Sequence, residues 1–576
     1  MVKRPPSHNL SLRCFTLGNT FPDDIFEINI TKTKNVSALK DAIKDNKPNT
    51  LREIDLALYK IRLPTGNSRP HTLESLGLKN EEALQDGSQL ADTFSNLPTE
   101  YLVIVQPLPA MWKDRNIAPA KSHEYINFQR GEERMLDGRY AFDTPTNTVA
   151  PPIQLFNSAF AYFSSKAFDP EYNVPPYFLR KVQALAAGCA AIYENEDDRQ
   201  EALRPLLRGV MGYSIATVQH GSGDSTIEDD VLQSNIANST LSLYSLFSVS
   251  KNEIGDGGLD PSVQASFSFR RVLLDKELLI SISRCCAPAF LLAHAGPSLA
   301  ILGGVITSGC IVQPLTDFIH LPTRSTHDND HFFRFARILY ALKESLVRLN
   351  AWYQGVANIK PFDPSAPNGR LHPRFFPSPD TFKQDDALVK FDYLRPLDGD
   401  VSCVAYLAKT VEADPVDVVV KFVDNYGDAA HELMANAGFA PKLLYCGKID
   451  VNPDMPSYGT LKMVVMEYND GLTMHSALQY GKPRPRCQLE DLEKAIQMLH
   501  DEGFVFGDLR PPNVMVEDGG RVQLIDFDWA GKEGEVKYPR TMSTSIDWPK
   551  GAQAWEPIQK QHDIEMLKKL TARWNA

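Results

Sequence analysis

The sequence predicts a multidomain α+β protein with three folded parts. Three observations support this: short alternating strands around one amphipathic helix near the N-terminus, two polar stretches that contain proline, and closely spaced Asp and Asn residues near the C-terminus. With 576 residues, the chain is long enough for several domains of ordinary size, each with its own core. We place a small module at residues 1–108, a linker at 109–152, a middle α/β domain at 153–355, a proline-rich linker at 356–383 and a compact domain at 384–576.

The small module is predicted from its strand pattern. Alternating apolar and polar residues predict strands at 10–15, 25–30, 54–61 and 101–105. Between the second and third strands, apolar residues recur at helical spacing over 36–47, which predicts an amphipathic helix. Strand, strand, helix, strand and a late strand is the order of a ubiquitin-like β-grasp.

This module resembles the N-terminal header of the Crinkler family of secreted effectors. The resemblance is carried by residues 10–17, 35–44, 56–61 and 101–107, the last an apolar strand that ends in Pro107. The family's Leu-Phe-Leu-Ala-Lys-type translocation motif is replaced here by Leu-Arg-Cys-Phe-Thr-Leu at 12–17. The resemblance implies secretion, entry into a host cell and a host target protein. The alternative is a generic ubiquitin-like interaction domain.

The middle domain opens with predicted helices at 176–194 and 198–210, and another long amphipathic helix is predicted at 331–353. Between them, a strand that carries Lys251 and Glu253 precedes a helix with Gln264, an arrangement that resembles restriction-endonuclease-like cores. In such cores Asp, Glu and Lys hold Mg²⁺ and an attacking water.

Val249 stands where that pattern expects a Glu, and Asp229 or Asp230 is the candidate for the missing carboxylate. A hydrophobic side chain cannot ligate Mg²⁺. We therefore favour a structural scaffold over an active nuclease.

The C-terminal domain carries the strongest functional pattern. Asp508 and Asn513 lie five positions apart in a Pro-containing loop, and Asp526 ends a short apolar strand thirteen residues later. Phosphoryl transfer needs one carboxylate to orient the acceptor hydroxyl, and a carboxamide and a second carboxylate to hold Mg²⁺. The alternative is two unrelated surface loops with Asp as a turn residue.

The pattern resembles the protein-kinase-like superfamily, which implies a compact two-lobed fold, ATP and Mg²⁺. By this resemblance, Asp508 is the catalytic carboxylate, and Arg510 stands where protein kinases usually carry a Lys near the transferred phosphate. Asn513 and Asp526 are the metal ligands. Lys421 ends a β-branched strand and would hold the α/β-phosphates. Glu432, on a predicted helix, would pair with Lys421, and Glu467 lies at the strand that leads into the adenine-binding hinge.

The domain also departs from the kinase pattern. Phe506-Gly507 replaces the His-Arg that usually precedes the catalytic Asp, and Asp528 replaces the Gly that follows Asp-Phe. No Gly-rich loop precedes Lys421, with Gly399 as the one candidate, which predicts weak ATP binding or a pseudokinase. Asp563 is predicted to brace the catalytic loop.

Composition limits the function classes. A formal net charge of −12 argues against broad binding of nucleic-acid phosphates. The eight cysteines are scattered without a CxxC pair, which indicates mostly buried free thiols. No apolar segment follows the basic residues at 1–7, so we expect no ordinary signal peptide. The uncharged stretch 285–315 is broken by Gly and Pro, and we expect a core hairpin or meander instead of a membrane span.

These resemblances favour a secreted Crinkler-like effector with ATP- and Mg²⁺-dependent kinase activity, acting on Ser or Thr of a protein. A small-molecule phosphotransferase and a catalytically silent interaction protein are the alternatives. Without secretion, the protein would be cytoplasmic or nuclear. The sequence indicates neither the substrate nor the oligomeric state.

Overall fold

The computed structural model describes residues 9–16, 26–46, 56–62, 84–85, 88–94, 101–107, 121–144, 146–213, 216–220, 227–235, 242–255, 260–274, 282–362, 371–385, 387–449, 458–479, 486–517 and 521–575. The chain divides into two units, Met1–Phe376 and Pro377–Ala576. Among the helices that the structure describes, none combines the length and the apolar character needed to cross a bilayer.

The first unit begins with a small sheet and one long helix. Its elements are β1 Asn9–Thr16, β2 Phe26–Thr31, α1 Val36–Asn46, β3 Leu56–Arg62, α2 Leu90–Thr93 and β4 Tyr101–Pro107. The strand order is β2-β1-β4-β3, with β1 parallel to β4 and the other pairs antiparallel. Leu39 and Ile43 of α1 are buried with Leu12 of β1 in one core. The predicted strands and helix of this module are confirmed.

The rest of the first unit is a mixed sheet with helices on both faces. Its elements are α3 Ser122–Arg130, β5 Met135–Leu136, α4 Ser158–Ala167, α5 Pro176–Ala190, α6 Glu196–Met211, β6 Ala216–His220, β7 Ile227–Asn235, β8 Ser242–Lys251, α7 Pro261–Leu273, β9 Ala289–Ala295, β10 Ser298–Ile306, β11 Cys310–Pro314, β12 Ile319–His320 and α8 Asn329–Tyr353. The main path of the sheet is β5-β11-β10-β9-β8-β7-β6, and β12 pairs with β10.

Two adjacent glycines on β10 let both helix layers approach this sheet. A Cβ on Gly303 would lie 2.9 Å from the ring of Phe160 in α4, and a Cβ on Gly304 would lie 2.9 Å from the ring of Phe269 in α7. Because successive residues of a strand face opposite sides, one glycine serves each face. The strands β9, β10 and β11 form an antiparallel meander, as predicted from the Gly and Pro breaks.

The segment predicted as a linker at 109–152 contributes to the fold in its described part. Helix α3 buries Tyr125 and Phe128 against Phe267, and β5 pairs with β11. The proline and polar residues of this segment favoured the prediction of a linker. Two aromatic residues three positions apart are nevertheless enough to pack a short helix against the domain.

The second unit opens with an antiparallel sheet. Its elements are β13 Thr381–Gln384, β14 Ala387–Pro396, β15 Ala405–Thr410, β16 Asp417–Val423, α9 Asp428–Asn436, β17 Leu443–Lys448 and β18 Lys462–Glu467. The strand order is β13-β14-β15-β16-β18-β17. Strand β16 carries Lys421 at the middle of this sheet, opposite Ala405 of β15 and Val464 of β18.

The remainder of the second unit is mainly helical. Its elements are β19 Leu472–Thr473, α10 Met474–Gln479, α11 Arg486–Asp501, β20 Phe504–Val505, β21 Val514–Val516, β22 Val522–Leu524, β23 Gly531–Lys532 and α12 Lys560–Asn575. One core connects both parts, because Val464 of β18, Met434 of α9 and Leu492 of α11 belong to the same buried cluster. This core supports the loops that carry Asp508 and Asp526.

Candidate active site

The loop at 506–513 is fixed from behind by a buried carboxylate. Asp563, on α12, is 1% exposed and accepts hydrogen bonds from the backbone N–H groups of Phe506 and Gly507, both at 2.8 Å. His500 of α11 lies 3.1 Å from the same carboxylate. The predicted bracing contact is therefore present, and it ties the loop to two helices at once.

Asp508 points into a small polar cluster at the front of this loop. Arg510 donates to both of its carboxylate oxygens, with Nη2 at 2.6 Å, and Asn513 Nδ2 donates to Asp508 Oδ2 at 2.8 Å. Burial raises the pKa of the Asp508 carboxyl, and the Arg510 guanidinium partly opposes this shift. A raised pKa makes the carboxylate a stronger proton acceptor. Arg510 itself lies over the ring of Trp548, 5.8 Å from its centroid.

A backbone hydrogen bond of the residue before Asp526 holds Asp526 near Asn513. Ile525 N donates to the carbonyl oxygen of Asn513 at 3.0 Å, which brings the end of β22 beside the loop. Asp526 has a φ of +69°, a conformation uncommon for residues other than glycine and often found at functional sites. Asn513 Nδ2 donates to Asp508, so the amide oxygen Oδ1 points away from that carboxylate. A carboxamide oxygen and a carboxylate are hard donors that fit Mg²⁺.

Lys421 contacts two carboxylates of the segment that follows β22, those of Asp526 and Asp528. Its Nζ atom lies 2.6 Å from Asp526 Oδ1 and 2.6 Å from Asp528 Oδ1. Burial acts against the charge of Lys421, but the two carboxylates outweigh it and raise the pKa of the ammonium. Burial acts in the same way on Asp526, where the adjacent Lys421 prevails and lowers the pKa. Burial and the neighbouring Asp526 raise the pKa of Asp528 to about 7.

The expected pair between Lys421 and Glu432 is not formed. Glu432 is exposed on α9, and the residue that α9 turns inward is His431, which is fully buried. The His431 ring stacks on Phe527 with 4.5 Å between centroids and 3° between planes. Adjacent helix residues point about 100° apart, so burying His431 leaves Glu432 on the outer face.

Two other candidate positions lie where the sequence placed them along the chain. Glu467 is the exposed last residue of β18, and its N–H donates to the carbonyl of Lys442. Its role in adenine binding stays a prediction. Gly399 lies in the turn between β14 and β15, and a Cβ added there would meet no atom of the described residues within 4 Å, so nothing in this turn requires a glycine. Asp398 and Asp400 flank it, and both are exposed.

Sequence reasoning missed two features of this site. The contact between Lys421 and Asp528 was not foreseen, although the Asp-Phe-Asp sequence was visible as a departure from the kinase pattern. The stacking of His431 on Phe527 also had no local signal. Both contacts join residues that lie far apart in the sequence.

The nuclease-like residues of the middle domain are engaged in ion pairs with α6. Lys251 Nζ lies 3.3 Å from Glu196, and Glu253 lies 3.2 Å from the buried guanidinium of Arg199. Gln264 lies on α7 as predicted, and Val249 is half-buried on β8. The side chains of Asp229 and Asp230 lie outside the described residues. The ion pairs of Lys251 and Glu253 join the end of β8 to the first turn of α6, which is a structural use of both residues.

The eight cysteines are reduced thiols, and five of them are buried: Cys14, Cys189, Cys285, Cys286 and Cys310. Burial raises the pKa of the Cys14 thiol to about 12. The predicted pattern of mostly buried thiols without a disulfide framework is confirmed for these described residues.

Comparison with known proteins gives separate matches for the two ends of this arrangement. Residues 10–106 match the family model of the Crinkler effector protein N-terminal domain. The serine/threonine-protein kinase KIPK1 of Arabidopsis thaliana is 28% identical to this chain over 151 residues, which are 24% of this chain and 16% of that kinase. The serine/threonine-protein kinase PknB of Mycolicibacterium smegmatis is 34% identical over 73 residues, 12% of each chain.

Among solved structures, the Cydia pomonella granulovirus kinase PK-1 aligns with a TM-score of 0.24 and 20% identity, over 31% of this chain and 65% of that one. The sequence matches thus span about a sixth or less of the length of the two curated kinases. The chain therefore carries a Crinkler effector N-terminal domain at residues 10–106 and, beyond it, a region that is similar to protein kinases.

Proposed function

We propose that the C-terminal unit is an ATP- and Mg²⁺-dependent phosphotransferase that acts on a hydroxyl group, with Ser or Thr of a protein as the favoured acceptor. The observation that carries the proposal is the convergence of four predicted residues. Asn513 contacts Asp508, and Lys421 contacts Asp526. Ile525, the residue before Asp526, donates a backbone hydrogen bond to the carbonyl of Asn513. If these Asp residues belonged to two unrelated surface turns, nothing would require their side chains to lie together.

Each of these residues has a chemical part in the proposed reaction. Asp508 would orient the acceptor hydroxyl and take its proton, and burial strengthens it for that task. Arg510 would hold the transferred phosphoryl group, while Asn513 and Asp526 would hold Mg²⁺. When bound, Mg²⁺ neutralises charge on the ATP phosphates. Lys421 would keep the phosphates in place through its ammonium charge.

From the turn between β14 and β15 we expect weak nucleotide binding and slow turnover. Glycine-rich loops cradle phosphate with backbone N–H groups. Here Asp400 accepts from Ser402 N at 2.8 Å and from Ser402 Oγ at 2.6 Å, so these groups are already satisfied within the turn. Two exposed carboxylates, Asp398 and Asp400, would also repel the phosphates.

For the N-terminal module we propose a ubiquitin-like β-grasp that serves delivery to a host cell and contact with a host protein. The strand order β2-β1-β4-β3, with the parallel β1–β4 pair and α1 on one side of the core, supports the fold proposal. The match to the Crinkler N-terminal domain supports the effector proposal. Expression of residues 1–115 alone should give a cooperatively melting domain, and a random-coil spectrum would contradict the boundary.

For the middle domain we propose a scaffold. The ion pairs of Lys251 and Glu253 with α6 support this choice, since both side chains are engaged in fixing α6 to the end of β8. We expect the purified chain to leave plasmid DNA intact in the presence of Mg²⁺ or Mn²⁺. Cleavage that is abolished by Lys251→Ala would make the protein a nuclease instead.

The test of the phosphotransferase proposal is calorimetric binding of Mg²⁺-ATP to the full chain. Wild type should bind, Asp526→Ala should lose binding because a metal ligand is removed, and Asp508→Ala should bind with little change. Lys568→Gln, on the exposed side of α12, is the matched control. Absence of binding to wild type would favour the pseudokinase alternative. Binding with transfer to a small hydroxyl compound but to no protein would favour the small-molecule alternative.

A further inference from the structure

We propose that Asp528 is the positioning residue for Lys421 and takes the part expected of Glu432. Asp528 stands two residues after the proposed metal ligand Asp526, where the kinase pattern has Gly. Its consequence for nucleotide binding rests on the proposed phosphotransferase function. The pairing itself rests on the geometry alone.

Two carboxylates surround one ammonium at this site. Lys421 extends from the central strand β16, and its side chain is only 12% exposed. Asp526 and Asp528 lie at equal distances of 2.6 Å from its Nζ atom. A cation this deeply buried needs a fixed anionic partner, because desolvation otherwise disfavours its charged form.

Helix α9 presents a different side chain to the interior. His431 Nδ1 accepts from the Tyr426 hydroxyl at 2.7 Å, and Nε2–H donates to the carbonyl of Pro441 at 2.8 Å. With its ring also stacked on Phe527, His431 fixes the rotation of α9 about its axis. That rotation keeps Glu432 exposed and away from Lys421.

The segment that carries Asp528 is rigidly held. Phe527 is fully buried, meets Phe506 edge-on at 5.3 Å, and its carbonyl accepts hydrogen bonds from Gly427 N and Ala530 N. A Cβ on Gly427 would lie 2.4 Å from the carbonyl oxygen of Ala530, so the chain passes very close to the start of α9 here. Asp528 therefore lies on a well-anchored backbone.

The two carboxylates would have different roles when nucleotide is bound. Asp526 would be engaged by Mg²⁺ when nucleotide binds, and its hold on Lys421 would weaken. Asp528 would then remain as the partner that keeps the ammonium over the phosphates. This arrangement explains how the site dispenses with a helix Glu and why an Asp replaces the usual Gly.

The test is a double-mutant cycle of Lys421→Met and Asp528→Asn, read out by calorimetric binding of Mg²⁺-ADP, the condition in which Asp526 would be engaged by the metal. With Lys421 present, Asp528→Asn should weaken Mg²⁺-ADP binding about tenfold. In the Lys421→Met background, the same change should cause no further loss. Glu432→Gln should bind like wild type, and Asp528→Glu, which keeps the carboxylate, should bind more tightly than Asp528→Asn.

Several results would overturn the proposal. Equal losses in both Lys421 backgrounds, or no loss with Lys421 present, would show that Asp528 does not act through Lys421. Equal losses in both backgrounds that disappear when Mg²⁺ is omitted would identify Asp528 as a metal ligand instead. A loss in Glu432→Gln would restore the helix Glu to its expected part.

A second readout separates this proposal from the phosphotransferase function. If wild type binds no ADP, the function fails, but the pair is still testable by amide hydrogen exchange of strand β16 in the full chain. Either single substitution should reduce protection of residues 417–423, and the double substitution should reduce it no further. Additive losses of protection would refute the pairing.

Discussion

Replacing Asp563 by Asn tests the support of the loop at 506–513 most simply. The carboxylate accepts from two backbone N–H groups, those of Phe506 and Gly507, and all three residues are buried. Asn keeps the size of the side chain but turns one acceptor oxygen into an NH₂ group. One of the two N–H groups then faces a donor and loses its partner.

The cost follows from the penalty for an unsatisfied buried donor, about 1–3 kcal/mol. Because each 1.4 kcal/mol is a factor of ten, the loop should open about 5 to 150 times more often. The amide oxygen of the substituted side chain still accepts from the other N–H group, so the unit as a whole should stay folded. Under the proposed function, turnover should fall with loop opening, since Asp508 directly follows Phe506 and Gly507.

The assay is amide hydrogen exchange on the full chain, followed in peptides that cover residues 504–510. Asp563→Asn should accelerate exchange there and leave strand β16 unchanged. Lys568→Gln, on the exposed face of the same helix, should exchange like wild type. Unchanged exchange at Phe506 and Gly507 in Asp563→Asn would refute the bracing role.

Three other contacts can each be tested by one substitution. Gly427→Ala should lower the melting temperature of the second unit, because its Cβ would meet a backbone oxygen at 2.4 Å at a cost of about 1–3 kcal/mol, whereas Gly399→Ala, in open space, should melt like wild type. His431, whose pKa burial lowers to about 4, binds fewer protons folded than unfolded between pH 6.5 and 4. Protection of α9 should therefore fall as pH falls through that window, and His431→Asn should flatten the dependence. Arg199→Met should destabilise the first unit by about 1–3 kcal/mol in urea unfolding, since it leaves the buried carbonyl of Gly296, the carbonyl of Ala191 and Glu253 without this donor.

The parts of the fold that depend on local patterns were predictable. The strands of the N-terminal module follow alternation, and the long helix α8 follows a 3.6-residue apolar period. The loop residues Asp508 and Asn513 lie close in the sequence, so their contact is nearly fixed by spacing. The glycine and proline breaks of the segment 285–315 likewise located the turns of a meander.

The parts that depend on distant contacts were not predictable. Whether Lys421 pairs with Glu432 or Asp528 is decided by the rotation of α9, and that rotation depends on Phe527, nearly a hundred residues later. Helix α3, within a stretch expected to be a linker, is stabilised by Phe267, far along the chain. Composition alone could not indicate either partner.

Transfer of the γ-phosphate from labelled ATP, measured with purified full-length chain in Mg²⁺ and Mn²⁺, tests the proposed phosphotransferase activity most directly. We predict slow labelling of the protein itself or of an added protein acceptor by wild type. We also predict loss of labelling in Asp508→Asn, a variant that should still bind ATP. Labelling that persists at the wild-type rate in Asp508→Asn, or ATP binding by wild type without any transfer, would contradict the proposed catalytic site.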